Sequence, residues 1–570
     1  MDNDIIGKEC KFVVHLDKIN NVREDTHIVK EVIHHKDGRL EPRLRIIKNF
    51  KKPFWITKAN YQNHRDKKEA EELERTNKFH ATESDTFPEV AMRLNRGYLG
   101  NKMRMVVKES PFTYGLDIEA KTYIKHAYMS KWKDLTSKYN VAVLDIEVNT
   151  LTDTLIVVSV AMNDKIYTII NKSMLTDTIA NDEPVEVLNK KFNSKLNYLY
   201  YKYTPENTLA SKAKREFIIV DNELECVKGA FAKLHEWKPD IATAWNITYD
   251  MGKMLAVLEK NHIDPKDIFS DPDLPKELRY FRFKEGARQR VTESGKFKPV
   301  SIEEQWHTYI APAHFYWIDA MSAHRYIRVG GKSTPGGYSL DNILKQELGE
   351  KLGKLKFKDG TAENLAGLEW HLHMVAKRPL EYIIYNQWDV MSILELDNKT
   401  NDLSVVLPML SGVSDYGIFN SGPKRIIDAM HFFYIERGRV LATRPQIAPD
   451  FNLLGLSDWI VLMPSYRVKD VGKELIPGSG IHTNNRMYTF DADQVSGYPS
   501  DTVAANASKD TTLKEVKKID GIPLDKFRIQ NINLMFGKVN AVEYATEMFN
   551  APTLEQLEHM YLEEKKETAV

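Results

Sequence analysis

The chain has 570 residues, of which 42% are hydrophobic and 28% are charged. A single hydrophobic core rarely grows beyond roughly 250–300 residues, so this length predicts several domains. Eighty Lys and Arg residues balance eighty Asp and Glu residues, so the net charge neither favours nor excludes a polyanionic partner. The two cysteines, Cys10 and Cys226, exclude a disulfide framework and a cysteine-rich zinc site.

The sequence predicts no membrane segment and no secretion signal. No apolar run approaches the roughly 18 residues that a membrane-spanning helix needs. The first residues, MDNDIIGKEC, lack the basic and apolar regions of a secretion signal. We therefore expect a cytoplasmic protein in a reducing compartment.

The N-terminal region, residues 1–135, combines short alternating segments with charged loops, which predicts a small α+β domain. The charged run over 67–78 predicts an exposed helix. From residue 141, three β-rich runs separated by Asn, Asp and Thr predict an antiparallel meander. Helical patterns follow, for example PLEYIIYNQWDVMSILELDNKT, whereas residues 265–312 show no periodicity and predict a long loop or insertion.

A basic stretch over residues 43–68 is the one local cluster of charge that stands out. It carries nine Lys or Arg residues against one acid, with aromatic residues between them. Lys51, Lys52 and Trp55 of this stretch are candidate DNA contacts, because cations pair with phosphates and aromatic rings stack on bases. The alternative is a solvated basic hairpin whose aromatic residues belong to a small core.

Two carboxylates lie two residues apart in a predicted strand. Side chains at this spacing share one face of a strand, so Asp145 and Glu147 in VAVLDIEV project together. An Asp-x-Glu triplet on a solvated strand edge is common by chance. These two acids, however, lie in a nearly continuous apolar run, where an unpaired carboxylate is costly and indicates a cation or a function.

Further acids lie beside two predicted helices. In IATAWNITYDMGKMLAVLEKNH an apolar strand breaks at Asn246 and Asp250 heads a helical pattern. Asp250 is either a helix cap or a ligand-binding group between strand and helix. In EYIIYNQWDVMSILEL, Tyr385 and Asp389 are four residues apart and share a helix face. Taken alone, Tyr385 and Asp389 are explained as a partly exposed pair on a helix. Four acids from three elements, in this order, are less easily explained by chance and indicate one site.

The acids, in this order and with these neighbours, resemble the three exonuclease motifs of proofreading 3′→5′ exonucleases, which have a ribonuclease-H-like (DnaQ-like) fold. The wider chain resembles family B DNA polymerases, closest to those of T-even-type phages. The resemblance implies an α/β multi-domain protein. The implied parts are an α+β N-terminal domain (1–135), the ribonuclease-H-like exonuclease domain (136–405), a connecting segment that packs on the N-terminal domain (406–480) and a partial polymerase palm (481–570).

The resemblance implies a site that binds two Mg²⁺ ions, for which Mn²⁺ can substitute. The implied metal ligands are Asp145, Glu147, Asp250 and Asp389. Tyr385 would orient the attacking water, and Asn246 and Tyr249 would contact the single-stranded 3′ end. Two such ions generate hydroxide near neutral pH and neutralise the leaving 3′ oxygen, and hard cations prefer carboxylate ligands.

The stretch DADQVSGYPS resembles the first palm motif of family B polymerases, usually Asp-x-x-Ser-Leu-Tyr-Pro-Ser. By this resemblance Asp493 would bind the catalytic metal ions, and the amides near Ser496 and Gly497 would meet the triphosphate of a dNTP. Tyr498 would stack beneath the sugar. Gly497 departs from the usual leucine, which removes apolar packing and adds backbone freedom. No second palm aspartate motif and no complete fingers motif follows.

The implied function is the proofreading exonuclease and partial-palm subunit of a two-polypeptide phage replicative DNA polymerase. The expected partners are primer-template DNA, a dNTP in the assembled enzyme and a second polypeptide that carries the fingers, the rest of the palm and the thumb. A sliding clamp is a further candidate partner. The expected location is the cytoplasm of an infected bacterial host. Two alternatives stay open: a free-standing 3′→5′ DNA exonuclease with a vestigial palm, and a non-catalytic DNA-binding scaffold subunit.

Overall fold

A computed structural model describes residues 4–16, 24–65, 67–97, 100–133, 135–175, 185–291, 296–329 and 334–444, and the backbone of 532–534 and 537–539. The chain divides into two compact units, residues 1–447 and 448–570. The first unit is a mixed α/β structure, in agreement with the predicted class.

The N-terminal part of the first unit contains small antiparallel sheets and short helices. Its elements are β1 (Ile5–Leu16), β2 (Thr26–His35), β3 (Leu40–Lys48), β4 (Lys52–Thr57), β5 (Ala70–Glu72), β6 (Thr76–Ala81), α1 (Thr86–Arg93), α2 (Met103–Glu109), β7 (Thr113–Tyr114) and α3 (Ala120–Lys131). One sheet has the order β1-β2-β3 and another has the order β6-β4-β7. Every residue of β2 is buried, because Ile124 of α3 packs with Val29 on one face and Leu274 packs with Ile28 on the other.

The predicted helix over residues 67–78 is wrong. This segment forms β5 and the start of β6, joined by a 3₁₀ turn at Leu73–Arg75. β5 pairs with Arg439–Leu441 and β6 pairs with β4. Pairing with distant segments therefore overrides the helix propensity of the Glu- and Lys-rich sequence.

The central part of the first unit contains the largest sheet. Its elements are β8 (Val141–Asn149), β9 (Thr154–Met162), β10 (Lys165–Asn171), α4 (Val185–Tyr203), β11 (Lys214–Val220), α5 (Glu223–Trp237), β12 (Ile241–Ala244), α6 (Ile247–Lys260), α7 (Pro265–Phe269), β13 (Arg282–Lys284), β14 (Gln289–Val291), β15 (Phe297–Pro299), β16 (Thr308–Ile310), β17 (Tyr316–Asp319), α8 (Ala320–His324), α9 (Leu340–Leu348), α10 (Gly367–Lys377) and α11 (Pro379–Thr400). Residues 265–312, expected as a loop or insertion, thus contain α7 and short strands, with β13 paired to β16 and β14 to β15.

The large sheet has six strands in the order β11-β10-β9-β8-β12-β17. β9 is antiparallel to both of its neighbours, which confirms the predicted meander of β8, β9 and β10. The other pairs, β10 with β11, β8 with β12 and β12 with β17, are parallel. β8 therefore lies inside the sheet, between an antiparallel and a parallel neighbour.

The side chains of β8 alternate between two hydrophobic cores, one on each face of the sheet. Leu144 and Ile146 pack with Phe231 of α5 in one core. Val141 and Val143 belong to the other core, which contains α11. By the same alternation, the side chains at 145 and 147 lie on the α11 face.

Helix α11 confirms the predicted helical pattern from end to end. Pro379 occupies its first turn, where no backbone N–H is needed. Asn401 ends it in the left-handed conformation (φ 55°), and its N–H bonds the Asp397 carbonyl at 2.6 Å. The helix is buried on most of its surface, so polar side chains on its sheet-facing side are enclosed.

The described part of the connecting segment returns to the N-terminal region. It contains α12 (Leu407–Ser411), α13 (Gly422–Glu436) and β18 (Arg439–Leu441). β18 pairs with β5, and His431 Nε2 of α13 lies 2.5 Å from the Tyr123 hydroxyl of α3. The remainder of this segment, beyond Arg444, lies outside the described residues.

In the second unit the described backbone forms one antiparallel hairpin, β19 (Ile532–Leu534) with β20 (Gly537–Val539). Over the described residues of both units, every helix is too short or too polar to cross a lipid bilayer.

Lys30 on β2 links the N-terminal sheet to the central part. Its side chain is fully buried. The ammonium group donates to the carbonyls of Lys238, Pro239 and His314 at 3.1, 3.2 and 2.8 Å, and it lies 3.4 Å from Asp240 Oδ1. Burial lowers the pKa of Lys30 to about 8, although Asp240 opposes this effect.

We expect Lys30→Met to destabilise the first unit by about 3 kcal/mol or more, because the change leaves a buried carboxylate and three carbonyls without their donor. The measurement is the thermal midpoint of the full chain at neutral pH. The control is Lys48→Met, which breaks an exposed pair with Glu24 and should leave the midpoint nearly unchanged. Equal midpoints for the two variants would contradict the expectation.

Candidate metal centre

Three carboxylates from two distant segments meet between β8 and α11. Oxygen atoms of Asp145, Glu147 and Asp389 all lie within 4.8 Å of one another. Glu147 and Asp389 are 8% and 1% exposed, and Asp145 is partly buried. The predicted pairing of 145 with 147 on one strand face, and their meeting with residue 389, is therefore present in the structure.

Two polar residues of α11 orient the acids of β8. Asn386 Nδ2 donates to Asp145 Oδ2 at 2.6 Å. The Tyr382 hydroxyl donates to Glu147 Oε2 at 2.5 Å. Each acid thus uses one carboxylate oxygen for a partner on the helix.

Lys354 is the cation beside the cluster. Its Nζ lies 2.6 Å from Asp389 Oδ2 and 4.7 Å from the centre of the Tyr385 ring. The preceding carbonyl, of Gly353, accepts a hydrogen bond from Trp388 Nε1 at 2.9 Å, which holds this loop against α11. The other oxygen, Asp389 Oδ1, is buried without a hydrogen-bond partner.

A β-bulge adjoins the site. Glu147 pairs with Val157 and Val148 pairs with Leu155, so Ile156 is an extra residue on β9. Bulges bend a strand and change the direction of nearby side chains, and they are frequent beside functional sites. Here the irregularity falls at the strand position of Glu147.

Asp250 lies next to the three-acid group without being a member of it. It lies in the first turn of α6, which begins at Ile247 rather than at the acid, so it is not the helix cap. The carboxylate is 4% exposed, and the Ile146 backbone N–H acts to lower its pKa, against the effect of burial. The start of α6 therefore lies close to β8 between Asp145 and Glu147.

Asp319, at the end of β17, fixes the start of α6. Its carboxylate accepts from the N–H of Ile247 at 2.9 Å and of Ser322 at 3.0 Å, and so it joins the first turns of α6 and α8. Burial raises the pKa of Asp319 to about 6, and these backbone donors oppose the rise.

Burial and mutual repulsion disfavour ionisation of the acids. Burial raises the pKa of Asp145 to about 8, and the charge of Asp389 adds to this effect. Burial likewise raises the pKa of Glu147 and of Asp250 well above their usual range, and the charge of Asp145 adds to both shifts. Burial raises the pKa of Asp389 too, but Lys354 opposes it. A cation held by these oxygens would remove the repulsion.

Tyr385, Asn246 and Tyr249 lie around the acids. Tyr385 is 7% exposed, and its hydroxyl lowers the pKa of the Asp389 carboxyl, against the effect of burial. Asn246 precedes α6 in the left-handed conformation (φ 66°). Tyr249 is 50% exposed. Burial raises its pKa, and the nearby charges of Glu147 and Asp250 add to the rise while Lys253 opposes it.

The candidate DNA contacts of the basic stretch differ from the expectation. Lys51 is exposed, but Lys52 and Trp55 are 0% and 3% exposed. Lys52 Nζ bonds the Ile118 carbonyl at 2.8 Å and Glu83 Oε1 at 3.2 Å. Lys52 is enclosed by these partners, and Trp55 packs with Tyr114 and Val440, so neither side chain lies on the surface of the described structure. The predicted palm residues Asp493, Ser496, Gly497 and Tyr498 lie outside the described residues.

Sequence reasoning missed three residues that contact the acids. Tyr382 and Asn386 could have been found, because Tyr382 lies three residues before Tyr385 and Asn386 lies three residues before Asp389 on the same side of the helix. Lys354 lies in KLGKLKFKDG, where nothing in the pattern distinguishes it from the neighbouring lysines.

The donor set fits a divalent cation. Carboxylate oxygens are the ligands that hard cations prefer. Asp389 Oδ1 is buried without a hydrogen-bond donor, and a bound ion would supply the missing partner. The cluster of Asp145, Glu147 and Asp389 could hold a metal ion, and oxygen ligands alone do not identify which one. The class of site is thus a carboxylate cluster of an α/β protein. No protein family matches the chain, and no curated protein matches it significantly.

We expect Asp145→Asn to stabilise the metal-free protein at pH 8. The carboxyl has a pKa near 3.9 in the unfolded chain and about 8 in the folded chain. The folded state therefore holds the extra proton between these values, and stability falls as the pH rises through this range. The amide removes this penalty and can still accept from Asn386.

The measurement is the thermal midpoint in EDTA between pH 4.5 and 8. The variant should exceed the wild type by roughly 3–6 °C at pH 8, as about 1–2 kcal/mol would produce, and the gap should narrow towards pH 4.5. Asp164→Asn, at an exposed acid in the turn between β9 and β10, is the control. A gap that is constant or widens as the pH falls would contradict the expectation.

Proposed function

We propose that the chain is a metal-dependent 3′→5′ DNA exonuclease. The observation that carries the proposal is the convergence of Asp145, Glu147 and Asp389 within 4.8 Å, with Asp250 beside them. These are the acids of the three motifs that resemble proofreading exonucleases. Acids that are far apart in a sequence rarely converge in a buried position unless a cation or a reaction requires it.

The ribonuclease-H-like fold is part of this proposal. Its support is the meander β8-β9-β10, continued on the other side of β8 by the parallel strands β12 and β17. The first two acids lie on the central strand of this arrangement. Helices pack on both faces of the sheet, and α11 brings the third acid to the face of the first two.

Asp145, Glu147 and Asp389 would hold the metal ions, with Asp250 as a further ligand, and we propose Mg²⁺ with Mn²⁺ as a substitute. When bound, such ions supply a hydroxide near neutral pH and neutralise the leaving oxygen. The acids themselves repel a phosphodiester, so DNA can approach only after the cluster has been neutralised.

Other residues of the chain would bind and orient the strand. Lys354 favours the ionised form of Asp389 through their 2.6 Å ion pair. Tyr385, whose hydroxyl acts on the Asp389 carboxyl, would orient a water molecule. Tyr249, half exposed beside Glu147 and Asp250, offers a ring on which a terminal base can stack, and Asn246 lies one helical turn before it.

We further propose, from the sequence resemblance, that the chain serves a phage replicative DNA polymerase as its exonuclease and partial-palm subunit. The motif from Asp493 to Ser500 carries this part of the proposal, and it lies outside the described residues. A second polypeptide with the fingers, the rest of the palm and the thumb would then bind primer-template DNA and dNTP together with this chain.

We expect the double variant Asp145→Ala/Glu147→Ala to lose degradation of single-stranded DNA by several orders of magnitude, because it removes the oxygen ligands on which metal-assisted hydrolysis depends. The measurement uses the full chain with Mg²⁺ and an oligonucleotide labelled at its 5′ end. Successive shortening from the 3′ end, blocked by a 3′-terminal phosphorothioate, establishes the direction.

The matched control is Asp164→Ala/Glu216→Ala, which removes one exposed acid from the turn between β9 and β10 and one from β11 and should leave degradation unchanged. Equal degradation by the wild type and the Asp145/Glu147 variant would show that the activity does not depend on this carboxylate cluster. No degradation by the wild type, with unchanged DNA binding by both proteins, would favour the non-catalytic scaffold.

A further inference from the structure

A hydrogen-bonded chain of side chains leads from Glu147 away from the cluster to α10. The Tyr382 hydroxyl lies 2.5 Å from Glu147 Oε2, and His371 Nδ1 lies 2.6 Å from the same hydroxyl. Tyr382 is 1% exposed. The three groups come from β8, α11 and α10, so each is fixed by a different element.

The direction of this chain follows from the number of hydrogens. With Glu147 ionised, as a bound cation would require, its carboxylate accepts only, so the single hydroxyl hydrogen of Tyr382 points to it. The hydroxyl oxygen must then accept from His371, which requires the proton of the neutral imidazole to be on Nδ1. The order of donation is His371 to Tyr382 to Glu147.

The aromatic surroundings hold the Tyr382 ring whether or not it bears a hydroxyl. Its centre lies 5.7 Å from that of Tyr385, with the rings 18° from parallel, and 5.9 Å from that of Trp370 in an edge-to-face contact. The packing of the ring therefore fixes the position of the hydroxyl beside Glu147. Removing the oxygen alone leaves the shape of this cluster nearly intact.

We propose that Tyr382, oriented by His371, is a positioning residue that holds Glu147 Oε2 so that Oε1 is presented to a metal ion. The inference rests on the metal site of the proposed function. Glu147 has three rotatable bonds and stands at a β-bulge, so without an anchor it would sample several rotamers. Groups that orient metal-binding carboxylates typically change metal affinity by 10–100-fold.

The test is Mn²⁺ binding to the full chain without DNA, measured by the loss of the free Mn²⁺ electron paramagnetic resonance signal. We expect Tyr382→Phe to weaken Mn²⁺ binding about tenfold or more, and the Mg²⁺ concentration for half-maximal degradation of DNA to rise in parallel. The thermal midpoint in EDTA should change little. Tyr167→Phe, which removes the hydroxyl of a partly buried tyrosine on β10, is the control and should bind Mn²⁺ like the wild type.

His371 supplies a second variant that leaves the tyrosine in place. His371→Leu removes the donor and should weaken Mn²⁺ binding in the same direction but less, whereas His371→Gln retains an N–H donor and should restore part of the affinity. If Tyr382→Phe does not fold, the comparison of the two His371 variants tests the positioning role. Unchanged Mn²⁺ binding in folded Tyr382→Phe, or in both His371 variants, would overturn the inference.

The test of the positioning role of Tyr382 can fail or succeed independently of the test of exonuclease activity. Weaker Mn²⁺ binding by Tyr382→Phe, in a protein that does not degrade DNA, would support the positioning role and reject the nuclease. Equal Mn²⁺ binding by wild type and variant, in a protein that degrades DNA, would reject the positioning role alone. A wild type that does not bind Mn²⁺ would reject both.

Discussion

The repulsion among buried carboxylates between β8 and α11 is the constraint on which the centre of the structure depends. Like charges within 4.8 Å interact strongly where water is largely excluded. One direct ion pair, between Lys354 and Asp389, reduces this repulsion. The other two acids accept hydrogen bonds from neutral donors: Glu147 from Tyr382 and Asp145 from Asn386. One lysine cannot balance three acids, so the arrangement favours a bound cation or retained protons.

Two simple periodicities bring the acids together. Alternation along β8 places residues 145 and 147 on the α11 face, while Leu144 and Ile146 anchor the strand in the opposite core. The helical repeat places Tyr382, Tyr385, Asn386 and Asp389 on the side of α11 that faces this strand. The apolar residues on both elements therefore fix the distance at which the polar ones meet.

Much of this could be predicted from the sequence, because strand alternation and helix spacing are local properties. The meander, helix α11 and the pairing of residues 145 and 147 needed no knowledge of distant contacts. The predictions were wrong where contacts between distant segments determine the secondary structure or the burial of a residue. The run over 67–78 is a pair of strands because remote segments hydrogen-bond to it. Lys52 is enclosed by the carbonyl of Ile118 and by Glu83, and Lys354 reaches Asp389 through a loop with no periodic signal.

The acids differ in which neighbouring groups oppose the effect of burial on their pKa values. Lys354 faces Asp389 directly and also acts on Asp145, so these two carboxyls lose protons more readily than their burial alone would allow. The Tyr382 hydroxyl donates to Glu147 and the Ile146 N–H acts to lower the pKa of Asp250, but burial still raises both pKa values well above the usual range. A divalent ion held by these carboxylates would favour their ionised forms, so its binding would release protons from the cluster. Metal affinity would then rise with pH.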